Sequence, residues 1–142
     1  MNTEELNMLY ERYLDEAEEV ERNRKPGEGI FGIGKKPSDD PCHDRFVARL
    51  GAWMERLLES KPDSATVRDV LRVVYTAPKK HPQPASAYWV LIAVQSLTKD
   101  LIPCLCQADA AELTEEYNKT YKRWERLPVQ KQILEELKNA AK

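Results

Sequence analysis

The chain has 142 residues and a mass of 16.4 kDa, enough for one hydrophobic core. Apolar residues make up 42% and charged residues 32%, so the composition indicates a folded chain with a charged surface rather than a disordered one. The net charge of −2 leaves no overall basic excess for binding nucleic acid. We therefore expect a single helical domain over 1–142.

The first residues, the apolar runs and the cysteines together indicate the cytoplasm. The longest unbroken apolar run, 87–94, has eight residues, whereas a membrane-spanning helix needs about 20. The first residues are acidic and lack the positive start and apolar run of a secretory signal. The three cysteines cannot all pair within one chain. These features predict a cytoplasmic protein with free thiols and no membrane partner.

Apolar residues recur at steps of three and four along six segments, the pattern of one buried helix face. No segment shows the two-residue alternation of a half-buried strand. The predicted helices cover about 3–24, 41–60, 64–78, 86–102, 108–126 and 128–140. We therefore predict an all-α fold, a compact bundle of about six helices joined mostly by short connections.

The first predicted helix has an apolar stripe and an acidic opposite face. The stripe consists of Leu6, Leu9, Tyr10, Tyr13, Leu14, Ala17 and Val20. A Gly-rich loop over 25–40 separates this helix from the bundle, so the helix docks either on its own bundle or on a neighbouring subunit. Ile30, Phe31 and Ile33 lie in the loop, and three such residues in four positions are unusual for a solvated linker. We expect them to pack on the body or to form an interaction surface.

The segment 86–102 is predicted to be a central helix. Residues 88–94 are apolar on every side, which is typical of a helix inside its bundle. A strand over 88–94 is the alternative, since Tyr, Trp, Val and Ile favour strands. The helical spacing continues through Leu97 and Leu101, which favours the helix.

The fifth segment has a narrower apolar stripe. Its members, at steps of four, four and three, are Leu113, Tyr117, Tyr121 and Trp124. This spacing predicts one helix to about residue 126. Three large side chains, Trp53, Trp89 and Trp124, either all pack in the core or are partly exposed at an interface. The next helix is predicted to begin at Pro128, because proline suits the first helical turn.

Cysteine and histidine residues provide one candidate metal site. Cys104 and Cys106 are one residue apart, so both could reach one ion, although structural zinc motifs usually have two to four residues between their cysteines. Cys42 and His43, at the start of the second helix, could complete the set. The alternative is that these cysteines are packing residues, and Cys42 falls on the buried stripe of its helix.

No motif in the sequence indicates catalysis. There are only two histidines, and the nucleophile-elbow, zinc-protease and phosphate-loop motifs are absent. Residues 27–32 match G-x-G-x-x-G but follow a predicted helix rather than a strand, so they are interpreted as loop. We predict no enzymatic activity and no resident cofactor, the candidate metal apart.

The predicted function is a small cytosolic helical module for protein–protein interaction or structure, with a protein partner or self-association. The acidic first helix could meet the more basic 63–103, within one subunit or between two. One alternative is a helical metal- or thiol-binding protein that uses the Cys and His residues. The other is a nucleic-acid-associated module using lysines in loops, which the placement of the aromatic residues on helical stripes disfavours.

Overall fold

The computed structural model describes residues 3–23 and 41–142, and this part of the chain contains six α-helices and no strand. The helices are α1 Thr3–Arg22, α2 Pro41–Glu59, α3 Ser64–Lys80, α4 Ala85–Ala93, α5 Gln107–Thr120 and α6 Pro128–Ala140. A 3₁₀ helix, Val94–Cys104, continues α4, and a 3₁₀ turn, Arg123–Glu125, lies between α5 and α6. The predicted all-α bundle is confirmed.

The structure does not test the prediction made for the Gly-rich loop. Residues 25–40, with Ile30, Phe31 and Ile33, lie outside the described residues. The interaction surface predicted there therefore stays a prediction.

Helix α1 docks on its own bundle, antiparallel to α2. Near one end of the pair, the Trp53 Nε1–H donates to Glu5 Oε2 at 3.0 Å. Near the other end, Arg45 and Arg49 each donate to the Glu16 carboxylate at 3.4 Å. The predicted α1 stripe is buried at Leu6, Tyr10, Tyr13, Leu14 and Ala17. Val20 was also placed on this stripe, but it is 40% exposed.

Helices α3 and α5 run parallel, held at their surface by a ladder of ion pairs. The Arg68 Nη1 lies 3.0 Å from Asp109 Oδ1, and one turn later Arg72 pairs with Glu112 at 3.0 Å and Glu116 at 2.9 Å. Because α3 and α5 point the same way, the chain that joins them must run back from the end of α3 to the start of α5. Helix α4 and the 3₁₀ helix form this connection.

The 3₁₀ helix is the centre of the bundle and contacts α2, α3, α4 and α6. Its three-residue period aligns Gln95, Thr98 and Leu101, all completely buried. The segment 86–102 thus lies inside the bundle as predicted, but it is α-helical only to Ala93. The Ser96 and Thr98 hydroxyls donate to carbonyls three residues back, at 2.8 and 2.7 Å, and so compete with the backbone for α-helical acceptors.

Two of the three tryptophans, Trp89 and Trp124, are exposed rather than packed in the core. Trp89 in α4 is 54% exposed, so the apolar segment is not covered on every side. Trp124 is 84% exposed, because α5 ends at Thr120 and the backbone of Tyr121 is extended. Tyr121 is drawn into the core, and the following turn carries Trp124 off the predicted stripe.

In residues 3–23 and 41–142, no helix combines the length and the apolar character that crossing a bilayer requires.

Candidate functional site

The four residues predicted to bind a metal are not brought together. Cys42 is buried on α2, where the Arg45 Nη2 lies 3.4 Å from its Sγ, and His43 lies beside it, 3.4 Å from Asp44 Oδ1. Cys104 and Cys106 are exposed where the 3₁₀ helix meets α5. Among the described residues, which include all four, no three His, Cys, Asp or Glu side chains are grouped so as to hold a metal ion. Cys42 packs in the core, as the alternative reading predicted.

Cys106 instead belongs to a hydrogen-bonded cluster at the start of α5. Its backbone N–H donates to Ser64 Oγ at 2.8 Å, and the Ser64 hydroxyl donates to Asp109 Oδ2 at 2.5 Å. The Cys106 thiol donates to the same oxygen at 3.3 Å. The hydrogen bonds from Ser64, then Cys106, then Arg68 lower the pKa of Asp109. The cluster joins the first turns of α3 and α5.

This cluster predicts a pH-dependent contribution to stability. The pKa of Asp109 is lowered in the folded state, so its stabilising effect is complete above the unfolded value of about 3.9 and is lost as the pH falls through the folded pKa. We expect Asp109→Asn to lower the melting temperature by a few degrees at about pH 7, and the difference from the parent to shrink below about pH 4. Asp100→Asn, an exposed control, should change neither. A difference that stays constant down to about pH 2 would contradict this role.

A buried polar network crosses the middle of the bundle. The Tyr117 hydroxyl donates to Gln95 Oε1 at 2.7 Å, the Gln95 amide donates to Tyr121 Oη at 3.2 Å, and the Tyr121 hydroxyl donates to the Tyr75 carbonyl at 2.6 Å. Burial raises the pKa of Tyr117 and of Tyr121, so both phenols are neutral. A cavity of about 10 Å³ lies beside Tyr75 and Tyr117, space for a single water. The network fills the core rather than lining a pocket.

The outward side of α4 has the features of a contact surface. Its exposed residues follow at steps of four, four and three, the last step being shorter because it enters the 3₁₀ helix. We call this the α4 outer face: Ala85, Trp89, Ala93 and Ser96. Leu97, 44% exposed, follows in the next turn. On this face the large Trp89 ring projects between the small side chains of Ala85 and Ala93.

Two properties distinguish the α4 outer face from an ordinary helix surface. It bears no charge, since no Asp, Glu, Lys or Arg occurs over 82–98. Its ring is also supported, because the half-buried Tyr88 packs edge-on against Trp89 with ring centroids 5.5 Å apart. The Ser86 hydroxyl donates to Glu21 Oε1 at 3.1 Å and joins the end of α1 to the border of this face. Interface centres are depleted in charge and enriched in aromatic residues, as this face is.

The sequence raised an exposed Trp89 as one of two alternatives but did not identify the α4 outer face, although its signals were present. A segment apolar on every side is also what results when one side packs in the core and the other packs on a second molecule. The uncharged stretch 82–98 and the four-residue spacing of Ala85, Trp89 and Ala93 are visible in the sequence. What the sequence does not reveal is which side of the helix the other helices leave uncovered.

Comparison of the chain with protein-family models, with curated proteins and with solved structures finds no match.

Proposed function

We propose that this chain is a cytoplasmic helical interaction module, without catalytic activity of its own, that forms a homodimer through the α4 outer face. The observation that carries the proposal is Trp89, 54% exposed at the middle of an uncharged helical face. On the order of 130 Å² of this side chain lies in water, and covering it would stabilise a complex by about 3 kcal/mol.

A second copy suits this face better than a charged partner does. A twofold dimer places the same patch on both sides of the interface, so a patch carrying charges of only one sign would face the same sign and be repelled. None of the residues of the α4 outer face is charged, and the Glu21 carboxylate at its border accepts a hydrogen bond from Ser86. The face is also complementary in shape to a second copy of itself, because the Trp89 ring of one copy can lie over Ala85 and Ala93 of the other.

The size of the face sets the expected affinity. Helix α4 has nine residues, so an interface built on it and on the first 3₁₀ turn is at the small end of specific interfaces. We expect a dissociation constant on the order of 10 μM.

Sedimentation equilibrium tests this proposal directly. With rising concentration, the measured mass should increase from one 16.4 kDa chain to twice that value. The association should persist when salt is raised to about 1 M, since charge does not drive it. A mass of one chain up to about 0.5 mM would overturn the dimer. A dimer that dissociates in salt would instead indicate contact between the acidic α1 and basic residues of a second copy.

A further inference from the structure

Several basic residues and an exposed tryptophan occur where the end of α3 meets the 3₁₀ turn. Lys79 Nζ lies 3.2 Å from Glu125 Oε2 and 5.7 Å from the centroid of the Tyr121 ring. These contacts place the last turn of α3 beside the 3₁₀ turn. Trp124, in the middle of that turn, is 84% exposed, more than any other large apolar side chain in the described residues. We call residues 79–81 and 122–126 the Trp124 end.

The Trp124 end is strongly positive although the whole chain is slightly negative. Its bases are Lys79, Lys80, Lys122, Arg123 and Arg126. Its one acid, Glu125, accepts from the Lys122 backbone N–H at 2.7 Å and pairs with Lys79, and both contacts lower its pKa. Lys80, Lys122 and Arg123 make no ion pair with any residue that the structure describes. Lys122 and Arg123 precede Trp124 in the chain, and Lys80 follows Lys79 at the end of α3, so these exposed cations are available to an outside anion.

Hydrogen bonds fix the backbone of the turn that carries Trp124. The Arg126 Nε–H donates to the Tyr121 carbonyl at 3.1 Å, and its Nη2 donates to Asn118 Oδ1 at 2.8 Å. Together with the cap by Glu125, these bonds close the turn on both sides. Because the backbone under the indole is already fixed, binding at Trp124 does not require a loop to be ordered, which lowers the entropy cost of a contact made there.

We infer that the Trp124 end binds an acidic segment of a partner protein, which sets an apolar side chain against the indole and its carboxylates beside the lysines and arginines. This surface is separate from the α4 outer face, and the inference does not depend on the dimer. Single-stranded nucleic acid is the other polyanion to consider. It is usually held by several aromatic side chains along a basic groove, whereas the Trp124 end offers one exposed aromatic ring on a chain of net charge −2.

A fluorescence-anisotropy titration tests this inference. The probe is a fluorescein-labelled synthetic peptide of about twelve residues that repeats glutamate, glutamate, leucine, long enough to span an anchor and its rim. It should bind the full chain, and Trp124→Ala should weaken binding at least about tenfold. Replacing Lys122 and Arg123 together by Glu should weaken it similarly and reduce its dependence on salt.

Matched controls separate this site from nonspecific binding. Met8→Ala removes another exposed apolar side chain, and replacing Lys131 and Lys138 together by Glu reverses two exposed bases on α6; neither should alter peptide binding. The inference is overturned if the peptide fails to bind at about 0.1 M salt, or if Trp124→Ala binds as the parent does. Tighter binding of an oligothymidine of equal charge would assign the site to nucleic acid instead. Each result leaves the dimer measurement unaffected.

Discussion

Replacing Trp89 by lysine is expected to convert the dimer to a monomer without unfolding the chain. The substitution removes the one large ring of the α4 outer face and places a charge from each copy in the middle of the contact. Loss of about 3 kcal/mol or more corresponds to a dissociation constant raised at least about hundredfold. Sedimentation equilibrium of the Trp89→Lys chain should report a mass of 16.4 kDa at concentrations where the parent is dimeric.

A second variant and a control make this result specific. Ala93→Glu adds a bulky charge at an exposed position of the same face and should also give a monomer, without touching the Trp89–Tyr88 contact. Met8→Lys makes a similar change at a side chain 63% exposed on α1 and should leave the dimer intact. Circular dichroism should show the same helix content in all three chains. A Trp89→Lys or Ala93→Glu chain that stays dimeric would place the interface elsewhere.

The helices could be predicted because burial leaves a periodic record in the sequence. Helix α1 was expected over 3–24 and is observed as Thr3–Arg22, and its stripe faces the core at five positions. Cys42 was expected on a buried stripe and is 2% exposed. Both predictions use only the spacing of apolar residues along a single helix, and that spacing can be read from the sequence.

The failures are places where tertiary contacts overrule local spacing. Tyr121 and Trp124 are both aromatic and three residues apart, which suits one helix face. The buried hydrogen bonds of Tyr121 end α5 early, however, and Trp124 is left in water. In the same way, side-chain hydrogen bonds of Ser96 and Thr98 favour a 3₁₀ helix where an α-helix was expected.

The candidate surfaces were the least predictable part. Exposure of Trp89 follows from which neighbours α4 meets, and α4 lies against α1, α3, α6 and the 3₁₀ helix on its inner side only. The absence of a grouped set of metal ligands among the described residues has a related reason. Cys42 is buried on α2, whereas Cys104 and Cys106 are exposed where the 3₁₀ helix meets α5. One sequence does not encode such distances in any local pattern.

The largest expected loss of stability comes from disrupting the buried polar network around Gln95. Gln95 is completely buried, and Gln95→Met keeps its length while removing both polar atoms. The Tyr117 hydroxyl then loses its acceptor, and the Tyr121 hydroxyl loses a donor. An unsatisfied buried group costs about 1–3 kcal/mol, so we expect the free energy of unfolding in urea to fall by about 2–4 kcal/mol. Gln132→Met, the same change at an exposed site on α6, should alter it by less than about 0.5 kcal/mol.

A double variant tests whether the cost comes from the stranded hydroxyl. Tyr117→Phe removes that hydroxyl, so adding it to Gln95→Met should cost little more than Gln95→Met alone. The two changes should therefore be non-additive by about 1 kcal/mol or more, in a double-mutant cycle on residues that share one hydrogen bond. Strictly additive losses would show that the amide and the phenol act separately. The destabilisation would then come from packing around the 3₁₀ helix rather than from the hydrogen bond that joins it to α5.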